Sequence, residues 1–161
     1  MKDRSTIVCV RDGKVLLVAR ARSRWSLPGG TIKQSETPLD AARRELEEEA
    51  NLFETGLMYL FQFGGLNKRH HVFSADLARD ASPEPGNEIS QCHWFSPIKI
   101  ATLSTSIPTR AIVDLFLKFE NRRENPSTVV TKRDSQIHAD GERVTQTTNQ
   151  DEESIALLAR R

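Results

Sequence analysis

The chain is 161 residues long, enough for one folded core and a tail. Its 23 Lys and Arg offset 22 Asp and Glu, so no global field steers it to nucleic acid or a membrane surface, and any electrostatic function is local. Cys9 and Cys92 are far apart among apolar or aromatic neighbours and read as small buried thiols, not as a disulfide framework or a metal pair. Residues Met1 to Thr6 lack the apolar core of a signal peptide, and no apolar run is long enough to span a bilayer, so a reducing cytoplasm is the expected compartment.

The first elements are strands. Thr6–Val10 and Lys14–Val18 are aliphatic or β-branched, and Arg11, Asp12 and Gly13 between them signal a tight turn, which predicts a hairpin. Arg20 to Arg24 is a basic loop, and Trp25 to Gly30 ends in a turn. Thr37 is placed to cap a helix, with Pro38 at its first position and Asp40 able to complete a capping box. Leu39, Ala42, Leu46 and Ala50 recur at helical spacing, and Asn51 follows where a left-handed residue often closes a helix. Further strands are expected at 57–63, 71–77 and 91–95, then a helix from Pro108 to about Phe119 with an apolar stripe of Ile112, Leu115, Phe116 and Phe119. In a strand, His70 and His71 point to opposite faces. The elements amount to an α/β mixture, an α+β sandwich with a mixed sheet packed between helices. No aromatic residue follows Phe119, so residues 1–121 are expected to form the domain and 122–161 a polar, flexible tail, with Ser154 to Ala159 as a short amphipathic helix at most.

The helix after Gly30 carries the chemistry. With about 100° per residue, Glu45, Glu48 and Glu49 fall within roughly one third of the circumference, beside the apolar stripe. Adjacent carboxylates repel one another unless something positive sits among them, and a hard cation such as magnesium takes oxygen ligands of this kind. Glu36 lies a turn before the helix with Arg44 as its natural partner, and Gly29 and Gly30 let backbone come close to a metal or phosphate. Read alone, the run is equally a solvated helix face with Arg43–Glu47 and Arg44–Glu48 pairs, the glycines a simple turn, and Glu36–Arg44 a surface salt bridge.

Gly30, Glu36, Arg44, Glu45, Leu46, Glu48, Glu49 and Leu52 stand at the spacing of the Nudix box, G-x5-E-x7-R-E-U-x-E-E-x-G-U, with U a bulky aliphatic. This stretch resembles the Nudix hydrolases of the MutT-like kind. One position departs: Asn51 stands where the family has its last glycine, and asparagine tolerates the left-handed conformation next best. Trp25 to Gly30 and Trp94-Phe95 are also similar to the family, so the likeness runs from about residue 4 to 120. The resemblance implies the Nudix fold and hydrolysis of a pyrophosphate bond in a nucleoside diphosphate linked to another group, with water attacking phosphorus. It implies Glu48 and Glu49 as ligands of magnesium or manganese with the Gly29 carbonyl, and Glu45 as a further ligand or the base that takes the proton of water. Gly30, Glu36 and Arg44 would hold the loop and helix in shape. A further glutamate, as ligand or base, would be Glu88, with Glu84 as competitor and a solvated loop charge as the bland alternative.

Arg20, Arg22 and Arg24 could grip phosphates, or be solvated. Trp25 could stack on a base, though packing on the sheet is the simpler role. No extra subfamily signature follows the box, which leans toward a small nucleotide, such as an ordinary or modified nucleoside triphosphate. Other readings are a nucleotide-sensing module that does not turn its ligand over and an enzyme of RNA 5′ ends. The second would use the basic tail residues Arg122, Arg123, Lys132 and Arg133; nucleic acid is otherwise not an expected partner, nor is a membrane. Many relatives pair, so a homodimer is left open.

Overall fold

The computed structural model describes residues 1–65 and 67–124. The expected tail beyond residue 124 and its terminal helix lie outside the described residues. Residues 1–117 make up one compact unit, and the described residues after them belong to a second.

Five strands form one mixed sheet: β1 (Lys2–Arg11), β2 (Lys14–Arg20), β3 (Glu54–Gly64), β4 (Lys68–Leu77) and β5 (Ile89–Phe95), in the order β3-β4-β1-β2-β5. The predicted hairpin closes with Val10 opposite Val15 and Arg11 opposite Lys14, and Asp12 and Gly13 take positive φ in its turn. β1 also pairs with β4, in parallel. Asp3 and Arg69 are partners in that register, and their side chains pair at 2.6 Å, with His71 Nε2 3.0 Å from the same carboxylate oxygen. Arg69 holds the Asp3 carboxyl down at about 2.

Strand alternation sorts the core into two layers. Ile7, Cys9, Leu16, Phe73 and Ala75 face helix α1 (Pro38–Ala50) and meet Ala42, Leu46 and Ala50. Val8, Val15, Leu17 and Val72 face the other way, toward Ile100 of α2 (Pro97–Thr102) and Ile112, Val113 and Phe116 of α3 (Ile107–Glu124). The sheet therefore lies between helices, as expected. Cys9 is buried and Cys92 partly so, both as free thiols.

α1 begins and ends as its sequence predicts. Thr37 accepts from the Asp40 N–H, Pro38 leads the helix, and Asn51 closes it at φ 50°, ψ 34°, its N–H turned back to the Glu47 carbonyl. α2 is an element the spacing did not suggest, although Ser96 before Pro97 repeats the Thr37-Pro38 start. α3 runs five residues past the expected end, because Glu120 to Glu124 are helix-compatible and Arg122 and Arg123 suit the negative end of the helix dipole. Its buried stripe is Ile112, Val113 and Phe116, whereas Leu115 and Phe119 are about a third exposed, at 36% and 37%.

Candidate active site

Backbone pairing lays the glycine segment in place. Ser26 and Val18 exchange N–H···O bonds of 2.9 Å, then Ile7 N–H donates to the Pro28 carbonyl (2.9 Å) and Ser5 N–H to that of Gly30 (3.0 Å). The segment thus bridges β2 and β1, and the hairpin strands splay to admit it. Successive carbonyls of an extended chain point opposite ways. With Pro28 and Gly30 turned to β1, Gly29 offers its own peptide groups to the other side. Its N–H donates to Glu49 Oε2 at 2.8 Å, and its carbonyl accepts from Arg4 Nη2. Only glycine fits there: φ is 144°, and a Cβ would overlap the Ser5 carbonyl oxygen.

Arg44 organises the carboxylates. Its Nε and Nη2 grip Glu36 at 2.7 and 2.9 Å, and Nη1 reaches Glu45 at 2.7 Å and Glu48 at 3.0 Å. The bidentate pair with Arg44 holds the Glu36 carboxyl at about 2, and the same carboxylates raise the Arg44 pKa. A Cβ on Gly30 would overlap the Glu45 carboxylate. Gly30→Ala therefore displaces the tip of Glu45 and leaves the core untouched. We expect kcat to fall about 100-fold with little change in melting temperature; kinetics and a thermal melt check this, and unchanged kcat would contradict it.

Glu49 is buried, 8% exposed. Burial and the nearby negative charge of Glu45 push its carboxyl up to about 7, against the Gly29 N–H bond. Because the folded value lies above the ordinary 4.5, the stability Glu49 contributes is complete below 4.5 and lost as pH rises through 7. In the metal-free protein, the stability of wild type minus that of Glu49→Gln should fall by about 2 kcal/mol between pH 5 and 8. The subtraction removes His70, whose burial lowers its pKa to about 4 and acts in the opposite direction. Urea unfolding in chelator measures it; a flat difference would contradict the burial of Glu49.

The segment before β5 docks on the C-terminal end of α1. Glu84 N–H donates to the Ala50 carbonyl at 2.9 Å, Gly86 N–H to that of Glu49 at 3.2 Å, and Asn51 Nδ2 to that of Glu84 at 3.1 Å. Carbonyls left open at a helix end thereby gain donors. This carries Glu88 to the carboxylates, where it pairs with Arg20.

Gly29, Gly30, Arg44, Glu45, Glu48, Glu49, Glu88 and Arg20 all line one cleft of about 320 Å³, together with Arg4 and Lys33. Arg22, Arg24, Trp25 and Glu84 are absent from its lining. Arg22 is exposed at a turn with φ 58°, and Trp25 packs edge-on to Phe95 at 4.8 Å, against the α3-side core. The cleft donors are carboxylates and a peptide carbonyl, the hard oxygens that magnesium or manganese takes. Among the described residues no three acidic, His or Cys side chains are already closed on one point. Arg44 lies between Glu45 and Glu48 instead, and Arg4 sits on the Gly29 carbonyl.

A second cavity, of about 920 Å³, adjoins the first, and Arg4 lines both. Its walls include Thr6, Leu27, Phe63, His70, Pro108 and Ile112. Thr6 Oγ1 is 2.9 Å from His70 Nδ1, which satisfies this buried pair. The sequence reading missed this cavity and Arg4. Its walls come from β1, β3, β4 and α3, and no local spacing links them; the opposite facing of His70 and His71 was the available hint.

A NUDIX domain model matches residues 1–116, and the chain belongs to the Nudix hydrolase family. A Streptomyces rubellomurinus protein named CMP-5'-(N-acetyl-N-hydroxy-3-aminopropyl)phosphonate hydrolase is 27% identical over 114 residues, covering 63% of this chain and 55% of that protein. The chain thus spans about half the length of that relative. A Bacillus subtilis protein provisionally named an 8-oxo-dGTP diphosphatase is 27% identical over 136 residues, covering 83% of this chain and 87% of that one. The crystal structure of a Chromobacterium violaceum protein assigned to the nudix hydrolases superposes with a TM-score of 0.67 at 28% identity, over 75% of this chain and 79% of that one. These are likenesses, and the mixed sheet between helices is the fold this chain shares with the Chromobacterium structure.

Proposed function

We propose that the chain hydrolyses a pyrophosphate bond in a nucleoside diphosphate linked to another group, with a divalent cation, and that its substrate is a small nucleotide such as an ordinary or modified nucleoside triphosphate. The observation that carries this is the junction of two unlike cavities at Arg4. The oxygen-donor cleft suits a phosphate chain with its cation, and the roomier, more apolar cavity suits a base and sugar. The Streptomyces and Bacillus relatives carry names of hydrolases of nucleotide compounds, which agrees.

Glu48, Glu49 and the Gly29 carbonyl are the donors for magnesium or manganese, with Glu45 as a further donor or as the base. The cation supplies positive charge against the phosphate oxygens. The residues do the rest. A water oxygen bonds to phosphorus, the bond from phosphorus to the bridging oxygen breaks, and the leaving phosphate keeps that electron pair. The water proton passes to a carboxylate, Glu45 or Glu88, both of which line the cleft. Arg44 orients Glu45 and Glu48, and Arg20 holds Glu88. No covalent nucleophile is required. Trp25 serves packing in this reading, and Arg22 and Arg24 have no place in the cleft.

The test is a panel of nucleoside triphosphates, oxidised nucleotides, nucleotide sugars, ADP-ribose, dinucleoside polyphosphates and 5′-triphosphorylated RNA, each with magnesium and with chelator. Metal-dependent release of a nucleoside monophosphate from a small nucleotide is expected. Binding of one compound without release would establish a sensing module instead, and release from RNA alone would establish an RNA-end enzyme.

A further inference from the structure

Arg4 is the residue common to the two cavities, and its position is shown by more than shared lining. Its Nη2 donates to the Gly29 carbonyl. Its charge also reaches the buried His70 in the wall of the larger cavity and helps lower that pKa. It is half-buried on β1, two residues from Thr6, on the strand face that meets the larger cavity. The Gly29 carbonyl is also the single backbone oxygen assigned above to the cation. One acceptor is thus shared by two positive groups, the Arg4 guanidinium that bonds it and the cation proposed for it.

We propose that Arg4 is an exchangeable stopper on the Gly29 carbonyl, released when it pairs with the phosphate attached to the nucleoside, so that nucleotide and divalent cation bind cooperatively through it. This rests on the hydrolase reading above. A nucleotide lying across both cavities places its nucleoside phosphate at their junction, where Arg4 stands. A guanidinium exchanges a neutral carbonyl for a phosphate readily, because the phosphate adds an opposite charge and a second oxygen for a two-pronged bond. The freed carbonyl then faces the cation. Linkage makes the effect reciprocal: whatever the nucleotide adds to cation affinity, the cation adds to nucleotide affinity. The family-wide box gives no such coupling, since Arg4 lies outside it.

Manganese affinity, read by electron paramagnetic resonance of the free ion, tests this with nucleoside 5′-monophosphates as the partner ligand. They bear the phosphate in question and chelate the ion weakly in solution. For wild type, the best-binding monophosphate should tighten manganese at least about fivefold. Arg4→Met should bind manganese alone several-fold tighter than wild type, and the monophosphate should then add nothing. Lys33→Gln removes another positive charge that lines the same cleft. If it tightens manganese as much as Arg4→Met does, the effect is through-space charge and the exchange is wrong. Unchanged manganese affinity in Arg4→Met, or coupling retained in it, would also overturn the proposal. Wild type that binds neither manganese nor any monophosphate would remove the hydrolase reading itself. Wild type that turns over nucleotides while Arg4→Met keeps the coupling removes the Arg4 proposal alone. A circular dichroism melt of each variant confirms that the comparison is between folded proteins.

Discussion

Glu48→Gln should lower kcat/KM for the best nucleotide at least about 100-fold while the fold survives. Glu48 lies in the cleft with its side chain 38% exposed, bonded to Arg44 at 3.0 Å. Glutamine keeps that size and can still accept from Arg44, so packing is unchanged. What it loses is the negative charge that a hard cation requires. The cost to stability should stay below about 1 kcal/mol, as for an exposed ion pair. Kinetics at saturating magnesium, a thermal melt and manganese affinity separate these effects. A rate like that of wild type would sink the assignment of Glu48 as a ligand. A large loss of stability would mean that the variant reports on folding and not on chemistry.

Arg44→Ala should have the largest effect on stability, about 3 kcal/mol, because it strands carboxylates that are mostly shielded from water. Side-chain exposure is 19% for Arg44, 14% for Glu36 and 13% for Glu45, so solvent cannot replace the guanidinium cheaply. The sign with pH follows from Glu36. Its folded pKa of about 2 lies below the ordinary 4.5, so its share of the stability is present above 4.5 and lost as pH falls toward 2. Arg44→Ala removes that share at neutral pH, and the variant should lose less on acidification than wild type does. Arg44→Lys should recover only part, since an ammonium cannot make the two-pronged bond to Glu36. Urea unfolding at pH 7 and pH 4 measures both. An Arg44→Ala variant within about 0.5 kcal/mol of wild type would show that the network is solvated and dispensable.

What was legible in the sequence was local. The β1–β2 turn is written in Asp12 and Gly13, and the start and end of α1 in Thr37, Pro38 and Asn51, because each of these residues acts on its immediate neighbours. That Glu45, Glu48 and Glu49 line one cleft follows from helical spacing, and the Glu36–Arg44 pair from the short loop before the helix. Long-range placement was not legible. The parallel pairing of β1 with β4 joins residues more than sixty positions apart, as in Asp3 with Arg69. The insertion of residues 26–30 beside β1 depends on that strand being splayed from β2 below Val10, and nothing in either segment announces it. Arg4 is hidden for the same reason: its significance is a carbonyl 25 residues away and two cavities, the larger of them assembled from four elements. The basic loop drew attention through its charge, yet only Arg20 of its three arginines reaches the cleft, because Arg22 turns outward at positive φ.

Hydrolysis of the best nucleotide in water labelled with oxygen-18, with product masses read for wild type and Glu48→Gln, tests the central claim most directly. One labelled oxygen should enter one of the two phosphate products of the wild-type reaction, only when magnesium is present, and the label should be lost with turnover in the variant. Products without label, or labelled products formed equally well in chelator or by Glu48→Gln, would contradict cation-assisted attack of water from this carboxylate cleft.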